Sequence, residues 1–373
     1  MSKKFGPSTY FASDKSIYDV LMQKRIPLSK LLDFLRDKGI LVSSEIPRED
    51  VAIYISRTFV DYYMLQQISS FSEGGERKEK TTSTFVNAEI KGTELISACQ
   101  SVKDLIHEKG EMCEVSQQGD TTKVVVTYEE VDLSKTELRQ RTTKTCEIEI
   151  KKTEDGISIR QPANLKASSI SAAIVDSLSS TKAVELVPQI IDLQAFQEPE
   201  ARSFFFERLI RSIDGYDLED VIAVNINHQR PDSAFDGADF EDEESEDMED
   251  LDRDVTSYIS KAVLAGTGVL HSSEFSQLHS KGFFISRIIW KAVDRHLTND
   301  RRVELEAEFG DPVLCQDFKY VCKGFFERKE DGSFNITRKP FNSQEDKEMM
   351  TLLEKASRAA FNEVLEKYGE SQK

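Results

Sequence analysis

The chain is short of cysteine, and its cysteines follow no pairing pattern. Cys99, Cys113, Cys146, Cys315 and Cys322 are odd in number and show no C-x-x-C step. That argues against a disulfide scaffold or a thiolate zinc site and fits a reducing, cytoplasmic setting. No run approaches 18 consecutive apolar residues, so no membrane span is expected. The first residues, MSKKFGPSTYFASDK, hold no apolar signal core, so secretion is not expected either. Nucleotide and nucleophile motifs are also missing. There is no G-x-S-x-G, G-x-x-x-x-G-K-[ST] or G-x-G-x-x-G, and Gly266-Thr267-Gly268 lacks the rest of a phosphate cradle. The histidines are scattered: His271 and His279 stand eight apart, with no carboxylate or cysteine at ligand spacing. Neither a metal nor a cofactor is expected, and the balance leans away from an enzyme.

Acid is abundant. Across 373 residues, 67 Asp and Glu oppose 49 Lys and Arg, for a net charge of -18. The excess is uneven: Asp239–Asp254 carries eleven acidic residues and one basic residue, Arg253. Like-charge repulsion and few apolar side chains mark this stretch as an acidic linker, residues 231–255. A second break, SSFSEGGERKEKTTS at Ser69–Ser83, is polar and unpatterned. Three blocks remain: 14–68, 85–230 and 256–370.

The middle block reads as a helix over Gly92–Lys109, strands at Lys123–Val131 and Thr143–Lys151, and an Asp-Gly hairpin turn at Glu154-Asp155-Gly156 into Ile157–Arg160. Helices follow near Ser168–Leu178 and Glu200–Ile213. In the last block, Phe283–Val293, Val303–Phe309, Phe318–Glu327 and Ser333–Thr337 read as strands, and Gln344–Tyr368 as a long helix. Val303, Leu305, Ala307 and Phe309 alternate with Glu304, Glu306 and Glu308, the pattern of a strand with one wet face. The strands cluster rather than alternate with helices, so the fold class is α+β: a helical module followed by two blocks of antiparallel sheet plus helix. Lys152-Thr153-Glu154-Asp155-Gly156 leads to Arg160-Gln161-Pro162-Ala163-Asn164, and Lys329-Glu330-Asp331-Gly332 leads to Arg338-Lys339-Pro340-Phe341-Asn342. Either the two blocks descend from a duplication, or each uses the same favoured turn independently.

The most specific local pattern is IPLSKLLDFLRDKGILVSSEIPREDVAIYISR, Ile26–Arg57. Pro27 suits the first turn of a helix, Leu28, Leu31, Leu32 and Leu35 form its apolar stripe, and Gly39 ends it. Ile40–Ile46 reads as an extended link. Pro47 opens a second helix with Glu49 and Asp50 in its first turn and Val51, Ile55 and Phe59 on its buried face. This helix-extension-helix pattern resembles the SAP family of small nucleic-acid-binding modules. It departs from that family at Glu45-Ile46-Pro47-Arg48, where a Gly-x-Lys step is expected. The resemblance implies phosphate contacts from Lys24, Arg25, Lys30, Arg36, Lys38, Arg48 and Arg57. Residues 1–68 carry ten Lys/Arg against eight Asp/Glu, a local +2.

The expected function is therefore a non-catalytic nucleic-acid-binding accessory or scaffold protein, engaging DNA with low sequence specificity and plausible as a homodimer. Such a layout suits prokaryotic defence against phage. Two rivals stand beside it. One is a Mg²⁺-dependent nuclease using Asp120 with the Glu149-x-Lys151 step; the other is a protein–protein adaptor. Phe204-Phe205-Phe206 and Phe283-Phe284 offer base-stacking aromatics or core, and Asn225–Pro231 is a polar strand end.

Overall fold

The computed structural model describes residues 12–72, 78–135, 138, 140–153, 155–228, 261–266, 268–295 and 301–369. The acidic run 239–254 lies outside the described residues. Among them, nine α-helices and eleven strands with antiparallel pairing make an α+β protein. The chain forms two compact units, one of residues 1–77, 99–116 and 123–147, the other of 78–98, 117–122 and 148–373.

The first unit opens with four short helices: α1 (Asp14–Leu21), α2 (Leu28–Asp37), α3 (Arg48–Arg57) and α4 (Tyr62–Ser72). Pro27 and Pro47 stand at the N-caps of α2 and α3, where a missing N–H costs nothing. Gly39, at φ 74°, closes α2, and the Ile40 amide donates back to the Leu35 carbonyl at 2.9 Å. The core is Leu31, Phe34 and Leu35 of α2 against Val51, Ala52 and Ile55 of α3, Ile17, Val20 and Leu21 of α1, and Leu65, Ile68 and Phe71 of α4. The stripe thus runs through Phe34, with Leu28 and Leu32 only half buried. Phe59 is also not on the buried face: it is 88% exposed. Helix α3 ends at Arg57 because Thr58 turns extended (φ -79°, ψ 159°), which takes Phe59 off the helical period. The end of α5 (Gly92–Glu108), most of β2 (Met112–Gln118) and β3 (Thr121–Val131) and the first part of β4 (Arg141–Thr153) complete this unit.

In the second unit the strands follow the order β4, β5 (Gly156–Pro162), β1 (Thr81–Val86), β11 (Gln316–Glu327), β10 (Arg301–Asp311), β9 (Phe283–Asp294), β7 (Tyr216–His228) and β8 (Lys261–Ala265), with β6 (Pro188–Gln189) beside β1. Helices α6 (Leu165–Lys182) and α9 (Ser343–Tyr368) both start at a Pro-x-Asn step. Asn164 and Asn342 are the N-caps, and Asn342 forms a capping box with Glu345. The similar phrases seen in the sequence therefore share a cap as well as a turn. They differ downstream: Ser333–Thr337 is not a strand, and only the bridges Phe325↔Lys339 and Arg328↔Phe334 form. The Asp331 carboxylate accepts from the Ser333 amide at 2.9 Å, a local turn that competes with the ladder.

Helix α7 (Pro199–Leu209) sets Phe205 and Phe206 against Phe309 and Phe318, in one core with Trp290, Leu305, Phe275 of α8 (Ser273–Ser280) and the α9 residues Met349, Leu353 and Ala360. Arg202 is fully buried beneath them and donates to the carbonyls of Phe196 (2.7 Å) and Val313 (2.8 Å).

The opposite face of β10 departs most from expectation. Glu304 and Glu306 are 7% and 4% exposed rather than wet. Arg287 reaches Glu306 at 2.8 Å and Glu308 at 3.2 Å, and Lys80 pairs with both. Lys319 lies 3.2 Å from Glu308, Lys323 lies 3.3 Å from Glu304 and Glu306, and Arg338 lies 2.6 Å from Glu304. Burial pushes the Glu306 carboxyl up, but Lys80 and Arg287 outweigh it and hold the pKa at about 2, below the ordinary 4.5. A carboxyl depressed in this way stabilises the fold above its unfolded pKa and loses that contribution as pH falls through the folded one. The shift corresponds to about 3 kcal/mol. Acid titration of unfolding free energy should therefore fall between about pH 4.5 and 2. Glu306→Gln should lose roughly 3 kcal/mol at neutral pH and flatten that acid limb. An unchanged acid limb in the variant would show that Glu306 is not the titrating group.

Candidate nucleic-acid interface

The seven basic residues marked by the sequence separate into groups within the first unit. Lys24 and Arg25 lie exposed in the α1–α2 turn, with Arg25 donating to Gln23 Oε1 at 2.9 Å. Arg48, half buried at the start of α3, donates to the backbone carbonyls of Gln23 (3.1 Å) and Ile26, on either side of that turn. These three are brought together, and Arg48 acts as the clamp that shapes the turn. Along α2, Lys30 lies 4.8 Å from the Phe71 ring centroid, and Lys38 lies 6.0 Å from that of Phe34. The two rings meet edge to face at 5.7 Å. Arg36 is paired with Asp33 at 2.8 Å, and Arg57 is exposed at the end of α3.

Charge alone does not define a surface here. Residues 12–72 hold eight basic residues (Lys15, Lys24, Arg25, Lys30, Arg36, Lys38, Arg48, Arg57) and eight acidic ones (Asp14, Asp19, Asp33, Asp37, Glu45, Glu49, Asp50, Asp61). The +2 counted over residues 1–68 rests on Lys3 and Lys4, outside the described residues.

The segment joining α3 to α4 adds what charge does not. Tyr54, Phe59, Tyr62 and Tyr63 are 47%, 88%, 47% and 79% exposed, with Arg57 among them. Local bonds fix this path. The Thr58 hydroxyl donates to the Ile55 carbonyl at 2.7 Å, stopping α3, and Asp61 Oδ1 accepts from the Met64 amide at 2.7 Å, starting α4. The rings of Tyr62 and Tyr63 meet edge to face at 5.6 Å. Exposed aromatic faces beside a guanidinium can stack bases while holding phosphate. The aromatics singled out from the sequence have another fate: Phe205, Phe206, Phe283 and Phe284 are core. The useful signal was the density of Tyr54–Tyr63, four aromatics and one arginine within ten residues.

Among the nuclease candidates, Glu149 is bound by Lys347 at 2.9 Å and by Arg160 at 3.5 Å. Lys151 is exposed on the same strand. The Asp120 carbonyl accepts from the Lys152 amide at 3.0 Å. Among the described residues, no group of three His, Cys, Asp or Glu side chains is placed to hold a metal ion. The five cysteines are buried, and burial pushes the Cys99, Cys315 and Cys322 thiols up to about 12, so they are protonated at neutral pH. At the β7 end, Asn227 donates to Ser286 Oγ at 2.8 Å inside the protein.

No protein-family model matches the chain, and no curated protein matches it significantly.

Because Arg48 holds the turn that presents Lys24 and Arg25, Arg48→Ala should cost about 1–3 kcal/mol in urea unfolding, by removing the donor to the Ile26 carbonyl and leaving the Gln23 carbonyl with the Ile26 amide alone. The exposed Arg25→Ala should stay within about 0.5 kcal/mol. Equal effects would contradict the clamp.

Proposed function

We propose that the protein is a non-catalytic nucleic-acid-binding accessory protein whose contact surface is the first helical unit and whose target is a single strand read without sequence preference. The observation that carries this reading is the Tyr54–Tyr63 segment. Four exposed aromatics interleaved with Arg57 supply stacking faces and a phosphate partner within ten residues. Lys24 and Arg25 add exposed cations on the α1–α2 turn. The acidic remainder repels a polyanion from other approaches, so charge would orient the strand as well as attract it. The same exposed aromatics favour one further reading, a docking surface for a protein partner. A strand-binding experiment separates the two.

The test is fluorescence anisotropy of a labelled oligothymidylate with the full chain at low and raised salt. Binding should weaken steadily with salt, and the duplex of matching length should bind less well. Phe59→Ala and Tyr63→Ala should each weaken binding by about 5- to 150-fold, because a stacked base contributes about 1–3 kcal/mol. Arg57→Ala should lower the salt slope by about 0.7. No anisotropy change with DNA or RNA, or variants that bind like the parent, would leave the partner-docking reading in its place.

A further inference from the structure

The second unit contains a groove of its own. This groove, of about 530 Å³, runs between α9 and the strands β1, β5 and β4, with Pro188–Ile191 along its rim. Its volume falls in the range of small-molecule sites, roughly 300–1,000 Å³. Strand register places Phe85 opposite Ser158 and Ser158 opposite Lys151, so these three side chains form one row across the floor. From α9, Arg358 lies over the Phe85 ring at 3.5 Å from its centroid.

The charges in this groove do not cancel. Arg160 and Glu354 neutralise each other, at 2.7 Å. The remaining charged residues of the lining are Lys151, Lys355 and Arg358, and none of the three has a carboxylate partner among the described residues. Elsewhere in this acidic chain cations are commonly paired, as Lys80, Arg287, Lys319 and Arg338 are. Three uncompensated cations around one cavity favour a ligand with more than one negative charge, beyond what a simple carboxylate carries. The other end of the groove is apolar and open to solvent: Ile190 is 55% exposed and Leu365 43% exposed. The ligand therefore carries an apolar or planar body as well. A guanidinium laid on a phenyl ring offers a flat stacking surface for such a body.

We infer that this groove binds a nucleoside phosphate, with its phosphates on Lys151 and Lys355 and its base against the Arg358–Phe85 stack. The Ser158 and Thr351 hydroxyls in the same lining are already bonded, Ser158 donating to Glu354 and Thr351 accepting from Arg160 and donating to the Lys347 carbonyl, so recognition rests on the cations and the Arg358–Phe85 stack. No bond is made or broken in this proposal; it is a binding site.

The test is isothermal titration of the full chain with adenosine triphosphate, adenosine and inorganic tripolyphosphate at low salt. Adenosine triphosphate should bind, with the other two at least tenfold weaker because each lacks half of the recognised chemistry. Lys151→Ala and Lys355→Ala change exposed side chains, so folding is kept, and each should weaken binding about tenfold through loss of a charge-assisted bond. Lys367→Ala, on the same helix but outside the groove, should bind within twofold of the parent. Failure of adenosine triphosphate to bind at millimolar concentration would overturn the proposal. So would binding that ignores the Lys151 and Lys355 substitutions, or tripolyphosphate binding as well as the nucleotide.

Discussion

The middle of the large sheet depends on pairing three carboxylates, two of them buried. Glu304, Glu306 and Glu308 sit on β10, with neighbours on both sides, and a buried carboxylate without a partner would be far too costly. The protein answers with five cations drawn from separate parts of the chain. Lys80 precedes β1, Arg287 lies on β9, Lys319 and Lys323 on β11, and Arg338 on the segment after it. Each carboxylate has at least two partners, and the cations form its cover. The network thus ties four segments across one face, while Phe205, Phe206, Trp290 and Leu305 close the other.

That arrangement explains what could be read from the sequence and what could not. Local patterns carried most elements. The alternation in Thr143–Lys151 matched β4, the spacing in Gly92–Lys109 matched α5, and Gly39 ended α2 at the required positive φ. The α+β class followed from those patterns. What was hidden involves distant partners. Lys80 and Glu306 are 226 residues apart, so a period-two run of glutamates looked like a solvated face when it was a paired one. The cations at Arg287, Lys291, Lys319 and Lys323, four apart on each flanking strand, were the only hint. Phe59 was misplaced for a local reason: the Thr58 hydroxyl bonds the Ile55 carbonyl where α3 stops at Arg57, two residues short of it.

The helices of the first unit were legible in the sequence, but not what their basic residues bond to. The basic residues were found on the helical unit as expected, yet Arg48 is spent on backbone carbonyls and Arg36 on Asp33. Residues 12–72 carry no net charge. The exposed aromatics from Tyr54 to Tyr63 therefore bear more of the proposed affinity than the lysines do, with stacking as the main attraction and charge as its guide. The α9 groove was invisible in the sequence, because its floor comes from Phe85, Ser158 and Lys151 and its wall from Arg358, four positions that share no motif.

The most direct measurement is photocrosslinking of the full chain to a halogenated single-stranded oligonucleotide, with the attached peptides mapped by mass spectrometry. The account predicts crosslinks concentrated between Tyr54 and Tyr63. Crosslinks confined to the second unit, or none above a competitor control, would contradict it.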